Sequence, residues 1–363
     1  MRFRRSLVGV LVLAASLLVG VQTALAQDGK DAFDDGCLSC HAGSEAVTAF
    51  GDGEERSVGV DIDAINASVH GSSNPPGHLS CFDCHGDYRF PHAGDPFETA
   101  RDFRLELNQQ CERCHSHQAE LESDGTHAAA LAAGNPNAAV CVDCHGSHEV
   151  SRPGEPRGAI SQTCGQCHVA IFDQYSESVH GAALLEESNP DVPTCIDCHG
   201  VHNIEDPTTN LFRLRSPQIC AQCHADEELM ERYDISTNVF DSYVADFHGT
   251  TVTLFEDQAP DAEVNKAVCY DCHGVHDIRS ADDPESQVIR ENLQVTCQKC
   301  HPDATANFPD AWLGHYEPTP DENSLVYFVN LFYRVFIPAL VGFFVIVILI
   351  DVRRRIADRP ARG

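Results

Sequence analysis

Two stretches of the chain are predominantly apolar, and they lie near its two ends. Residues 7–21 form one run behind Arg2, Arg4 and Arg5, and Ala24-Leu25-Ala26 follows it. A basic start, an apolar middle and a small-x-small site are the marks of a secretory signal, so residues 1–26 are read as a signal peptide. The other run, residues 325–350, reads LVYFVNLFYRVFIPALVGFFVIVILI. Its uninterrupted part, 335–350, makes only about 24 Å of helix against a hydrocarbon core of about 30 Å. With 325–333 included it spans, Arg334 snorkelling and Tyr327 and Tyr333 near the interface. Arg353, Arg354 and Arg355 follow at once, which puts that side in the cytoplasm. A transmembrane helix is therefore expected over 325–351, with a short basic cytoplasmic tail over 352–363.

Between these runs, residues 27–324 carry no long amphipathic period. Short helices are expected, for example over 118–133 and 226–233, joined by loops rich in Gly, Pro and Asn such as 72–77 and 134–137. The longer spacers 42–69 and 225–247 are expected to form small lobes. The dominant pattern is a repeat of Cys-x-x-Cys-His. It begins nine times, at Cys37, Cys81, Cys111, Cys141, Cys164, Cys195, Cys220, Cys269 and Cys297. The second cysteines are Cys40, Cys84, Cys114, Cys144, Cys167, Cys198, Cys223, Cys272 and Cys300, so all 18 cysteines are used.

Cys-x-x-Cys-His is the attachment signature of c-type haem. Two thiols within one helical turn lie on one side of the backbone and can bond two edge carbons of one porphyrin. The next residue then offers an imidazole to the iron. Disulfide frameworks, zinc ribbons and thioredoxin-like motifs do not require a histidine after every second cysteine. The cofactor expectation is nine haems c. The motif histidines His41, His85, His115, His145, His168, His199, His224, His273 and His301 are the proximal ligands.

Eleven further histidines remain for nine distal positions. Methionine offers no general alternative, since only Met230 lies outside the signal. Met/His ligation raises haem potential, so low-potential, bis-histidine irons are expected. The motifs alternate between two types. The first is followed, after a variable spacer, by a histidine: Cys37 by His70, Cys111 by His127, Cys164 by His180, Cys220 by His248 and Cys297 by His315. The second reads Cys-x-Asp-Cys-His-Gly and has a histidine close behind: Cys81 with His92, Cys141 with His148, Cys195 with His202 and Cys269 with His276. These nine are the distal candidates, and His78 and His117 are spare. In CHGVH the second histidine is too close to its motif to reach the far face of the same iron, so it is expected to ligate a different haem. Residues 164–202 are one period of an array that runs four and a half times. His180 and His202 are expected to tie each such unit together through its own iron bonds.

Nine haems divide some 300 residues into about 33 each, too few to bury an ordinary core around every cofactor. The expected fold is mainly α with little regular secondary structure, a multihaem cytochrome c array organised around stacked haems, plus one C-terminal transmembrane helix. Net charge is −31, with 55 acidic against 24 basic residues. That argues against a nucleic-acid footprint and suits docking to a basic partner patch, or equally plain solubility or growth in a saline habitat.

The motifs CVDCHGSH, CIDCHGVH and CYDCHGVH, with the SVHG histidines, resemble those of periplasmic multihaem c-type cytochromes of the doubled Cys-x-x-Cys-His kind over residues 37–315. The tail WLGHYEPTP…LVYFVNLFYRVFIP is similar to the ending of membrane-anchored members from anaerobic respiratory bacteria. The resemblance implies haems packed edge to edge as an electron wire on the periplasmic side of the cytoplasmic membrane. It implies as partners a membrane redox subunit or quinol-oxidising complex and periplasmic electron-transfer proteins, with the C-terminal helix in the lipid bilayer. Quinol-oxidising tetrahaem relatives usually carry their anchor at the N-terminal end, unlike this chain. The last haem, on Cys297, Cys300 and His301, is expected to exchange electrons with the membrane partner. The alternative is a multihaem reductase acting on a small nitrogen or sulfur oxyanion at one open iron. It would need an open or unusual ligand position, and no Cys-x-x-Cys-Lys occurs.

Overall fold

A computed structural model describes residues 34–86, 97–259, 266–309, 314–315, 318–321 and 323–357. The expected signal peptide, His92 and the end of the basic tail lie outside the described residues. The protein is mostly helical with little strand.

The two motif types fold differently. Each second-type motif is a one-turn helix of its own: Cys81–His85, Cys141–His145, Cys195–His199 and Cys269–His273. The motif aspartate makes this possible. Asp83, Asp143, Asp197 and Asp271 accept from the backbone N–H of Ser80, Val140, Thr194 and Val268. That satisfies a donor at the helix start and sets a negative charge at the positive dipole end. Gly146, Gly200 and Gly274 then end three of these turns with φ of 72°, 81° and 84°, a region that disfavours any residue with a Cβ. The first-type motifs instead finish longer helices. Cys111, Cys164, Cys220 and Cys297 lie near the ends of Ala100–Glu112, Gly158–Gly165, Asn210–His224 and Leu293–Gln298. The histidines that follow them, His127, His180 and His248, are each the second residue of another helix: Thr126–Ala132, Val179–Leu185 and Phe247–Gln258.

Several expected elements take different bounds. Residues 118–133 are not one helix but two, Ser116–Ser123 and Thr126–Ala132. The Thr126 N–H and hydroxyl both donate to the Ile204 carbonyl, at 2.8 and 2.9 Å, and an unbroken helix would keep that N–H for itself. The helix expected over 226–233 is Glu227–Glu231, with Asp226 as its cap. Spacer 42–69 contains an antiparallel hairpin, Val47–Ala49 with Glu55–Ser57. The Arg56 guanidinium lies 3.8 Å from the centre of the Phe103 ring. The C-terminal helix is Ser324–Ala357 and its apolar window has mean hydropathy 2.8. At about 51 Å it exceeds the hydrocarbon thickness, because the basic segment continues the helix. Arg355 pairs there with Asp351 at 2.8 Å.

Contacts divide the chain into two units. One is Met1–Phe212 with Val275–Arg279; the other is Arg213–Gly274 with Ser280–Gly363. Apolar cores are small in both. Tyr175, Leu184, Val140 and Phe50 are buried in the first. Leu214, Val252 and Val268 form a buried cluster in the second, with Phe255 and Tyr270 against it.

Candidate haem-binding sites

Among the described residues, seven motif histidines each face one of the expected distal histidines. In the first unit the pairs are His70–His115, His85–His148, His127–His168, His145–His202 and His199–His276, with ring centres 6.1, 6.1, 6.2, 6.3 and 6.1 Å apart. In the second they are His248–His301 at 6.4 Å and His273–His315 at 6.3 Å. The spacing has a simple chemical meaning. Two metal–imidazole bonds of about 2.0 Å, plus about 1.1 Å from each nitrogen to its ring centre, put the centroids about 6.2 Å apart across one six-coordinate iron.

The pairing follows two opposed rules. A histidine after a first-type motif faces the motif histidine of the next first-type motif: His70 serves His115, His127 serves His168 and His248 serves His301. A histidine after a second-type motif faces backwards, to the preceding second-type motif: His148 to His85, His202 to His145 and His276 to His199. His315, behind the last motif, faces His273. The expectation that unit 164–202 is closed by its own histidines is therefore corrected: His202 faces His145, in the unit before. Gly200 turns the chain sharply after His199, which carries His202 away from its own motif.

Further contacts set ring orientation. The His41 Nδ1–H donates to the Val58 carbonyl at 2.7 Å, and that of His70 to the Gly77 carbonyl at 3.3 Å. Such bonds fix the tautomer and leave Nε2 for a metal. The His315 Nδ1 lies 3.2 Å from the Ser242 hydroxyl, and the His248 Nδ1 3.7 Å from an Asp246 oxygen. Burial holds His127, His145, His148, His199, His224, His273, His276 and His315 below the ordinary imidazole range, which favours the neutral, ligating form. His180 sits on Val179–Leu185, and His224 closes Asn210–His224. His78 and His117 take part in none of the seven facing pairs.

The surroundings fit a porphyrin. All 18 motif thiols are free of disulfides. Apolar side chains beside the histidines are left open to solvent: Val169, Val179, Val201, Val275 and Phe247, the last 74% exposed. Such a lining would suit a flat apolar ring held between the histidines. Among the described residues no three His, Cys, Asp or Glu side chains converge on one point. Two facing imidazoles per site are what a six-coordinate haem iron would take from the protein, the porphyrin supplying its other ligands.

Sequence reasoning missed the arginines that grip the second-type motifs, Arg101, Arg157 and Arg213. The signal was there in part: an aspartate inside each Cys-x-Asp-Cys-His, and an arginine a few helical turns ahead of the first-type motif.

A family model described as "Doubled CXXCH motif" matches residues 189–229. A relative, "Multiheme cytochrome MtrA" from Shewanella baltica (strain OS185), is 26% identical over 216 residues, covering 56% of this chain. The chain spans just over half of that relative, 57% of its length. No solved structure matches the chain significantly. With these likenesses on top of repeated Cys-x-x-Cys-His motifs and facing histidines, the chain is a multihaem c-type cytochrome that carries haem c.

Proposed function

We propose that this chain is an exported relay that passes single electrons through nine haems c, between a quinone-linked membrane partner and periplasmic redox proteins. The observation that carries the reading is the set of seven facing histidine pairs, each joining one motif histidine to one histidine from another repeat. An iron held on both faces has no position for a substrate, which favours a carrier over a reductase. When bound, haem c supplies a one-electron iron couple, and bis-histidine ligation keeps its potential low.

The chain's own residues would attach the ring through the motif thiols and hold its iron between paired histidines, and the flanking valines and Phe247 would exclude water. His41 and His224 complete the proximal set, and His92 and His180 the distal set. The helix Ser324–Ala357 would anchor the protein, with the haem domain on the periplasmic face and the basic end in the cytoplasm. The motif closest in sequence to that helix, Cys297–His301, would exchange electrons with the membrane partner in anaerobic respiration. The acidic surface would steer encounter with basic patches on soluble partners.

The test uses full-length protein extracted from membranes in detergent. The haem-to-protein ratio is expected to be nine, with uniformly low-spin spectra in the oxidised state and rapid reduction by a quinol-linked donor. A high-spin iron that binds nitrite would favour the reductase instead. Fewer than nine haems would overturn the count.

A further inference from the structure

The motif aspartate does more than cap its own helix. Arg101 donates to Asp143 at 2.8 Å, Arg157 to Asp197 at 2.7 Å and Arg213 to Asp271 at 2.7 Å. In each case the same guanidinium also donates to a backbone carbonyl just ahead of the motif: Ala138, Val192 and Lys266. Each arginine stands on, or at the start of, the helix that ends in the preceding first-type motif. The clamp therefore joins two attachment motifs of one repeat. Beside it, the first thiols of those motifs lie near enough to interact, Cys111 with Cys141, Cys164 with Cys195 and Cys220 with Cys269.

Successive repeats are joined in another way. The Val69 N–H donates to the Val150 carbonyl at 2.8 Å, Thr126 to Ile204 at 2.8 Å and Val179 to Ile278 at 2.9 Å. Each bond links the residue before one distal candidate, His70, His127 or His180, to the segment just after another, His148, His202 or His276. The side-chain clamp is thus specific to the joint within a repeat.

We infer that Arg101, Arg157 and Arg213 are positioning residues that fix the spacing and mutual angle of the two haems within a repeat, and so the rate of electron exchange between them. The inference rests on the haem reading of the motifs. The exchange is a one-electron step, one iron oxidised as its neighbour is reduced, with no proton and no outside oxidant. Its rate depends on edge-to-edge separation, and a planar fork holding a carboxylate and a carbonyl together is a stiff link between attachment points. The fork is complete at Arg213, where Nη1 and Nη2 donate to the two Asp271 oxygens and Nη2 also to the Lys266 carbonyl, whereas at Arg157 Nη2 alone makes both contacts. Lysine, a point charge on a flexible stem, cannot reproduce the Arg213 set.

The test compares R213Q, R213K and D271N with the wild type as full-length, haem-loaded protein. In D271N the amide oxygen can still cap the helix at Val268 while the amide N–H group turns a donor towards Arg213, so this variant breaks the fork and decides the matter if R213Q fails to fold. Haem content and low-spin spectra are expected to stay at wild-type values. The Soret circular-dichroism couplet should weaken, and exchange between the haems on Cys220/Cys223 and Cys269/Cys272 should slow severalfold by NMR line broadening. Exchange between the haems on Cys141/Cys144 and Cys164/Cys167 should be unchanged, and R213K should not rescue. If R213Q or D271N loses melting temperature alone, with couplet and exchange intact, the clamp is merely structural and the inference falls. Absence of haem from these motifs in the wild type would instead sink the underlying reading.

Discussion

The rings of His202 and His145 face each other at 6.3 Å, yet the two residues belong to different repeats. His199, which follows its cysteine in the same motif that His202 trails, faces His276 instead. An iron bond at each of the seven pairs would cross-link repeats, so each of those haem sites would be completed only by a neighbouring repeat.

The first consequence concerns His202→Ala. One haem should become high-spin, and it should be the one on Cys141 and Cys144, held by His145. Assignment of the hyperfine-shifted NMR signals decides it. Change at the Cys195/Cys198 haem would refute the backward rule. His202→Met should instead keep that iron low-spin and raise its potential by on the order of 0.1 V or more, within the range of about 0.8 V that axial ligands command.

His315→Ala should open the iron of the eighth motif, at His273, and leave the ninth closed by His248 and His301. The readout is ligand binding: carbon monoxide should bind one reduced haem per chain, attached to Cys272 and Cys269. Binding at the Cys297/Cys300 haem would contradict the pairing.

Gly181 follows His180 with its backbone pressed against the preceding helix. A Cβ there would lie 1.8 Å from the Tyr175 carbonyl oxygen, and backbone cannot yield as a flexible side chain can. Gly181→Ala should therefore destabilise the haem-loaded protein by about 1–3 kcal/mol or more. A melting temperature within a degree of wild type would show that the helix start at Ser178 adjusts freely.

Haem removal should unfold the chain. The buried apolar set is short, and Phe247 and several valines would be left facing water. Ligand and cofactor binding is then folding free energy. Protein made without haem attachment is expected to show little helical circular dichroism beyond that of Ser324–Ala357 and no cooperative melt. A cooperative transition in that apo-protein would mean the small cores suffice alone.

Much of this protein is legible in its sequence, for chemical reasons. Covalent attachment needs two thiols in one helical turn and a histidine next to them, so Cys-x-x-Cys-His marks the haem sites without reference to the fold. The apolar run behind residue 324 reads as a helix long enough to cross a bilayer by composition alone. Alternation of Cys-x-Asp-Cys-His-Gly with the other motif type is visible by inspection, and the glycine after His70, His180 and His248 hints at close packing there.

What the sequence could not decide is which histidine meets which. Distal partners lie one or more motifs away, and nothing local states whether a loop carries its histidine forwards or back. That direction comes from the backbone: the positive φ of Gly200 and Gly274, the helix starts that aim His127 and His248, and the tertiary hydrogen bonds from Val69, Thr126 and Val179. The break at Gly125 in an otherwise good helix has the same origin, since the Thr126 N–H is spent on Ile204 rather than on its own helix. The arginine clamp is likewise invisible locally, because Arg157 and Asp197 are neighbours only after the intervening chain has folded. Attachment chemistry is local and is written in the motifs; axial pairing and haem spacing are long-range geometry, and only the tertiary structure sets them.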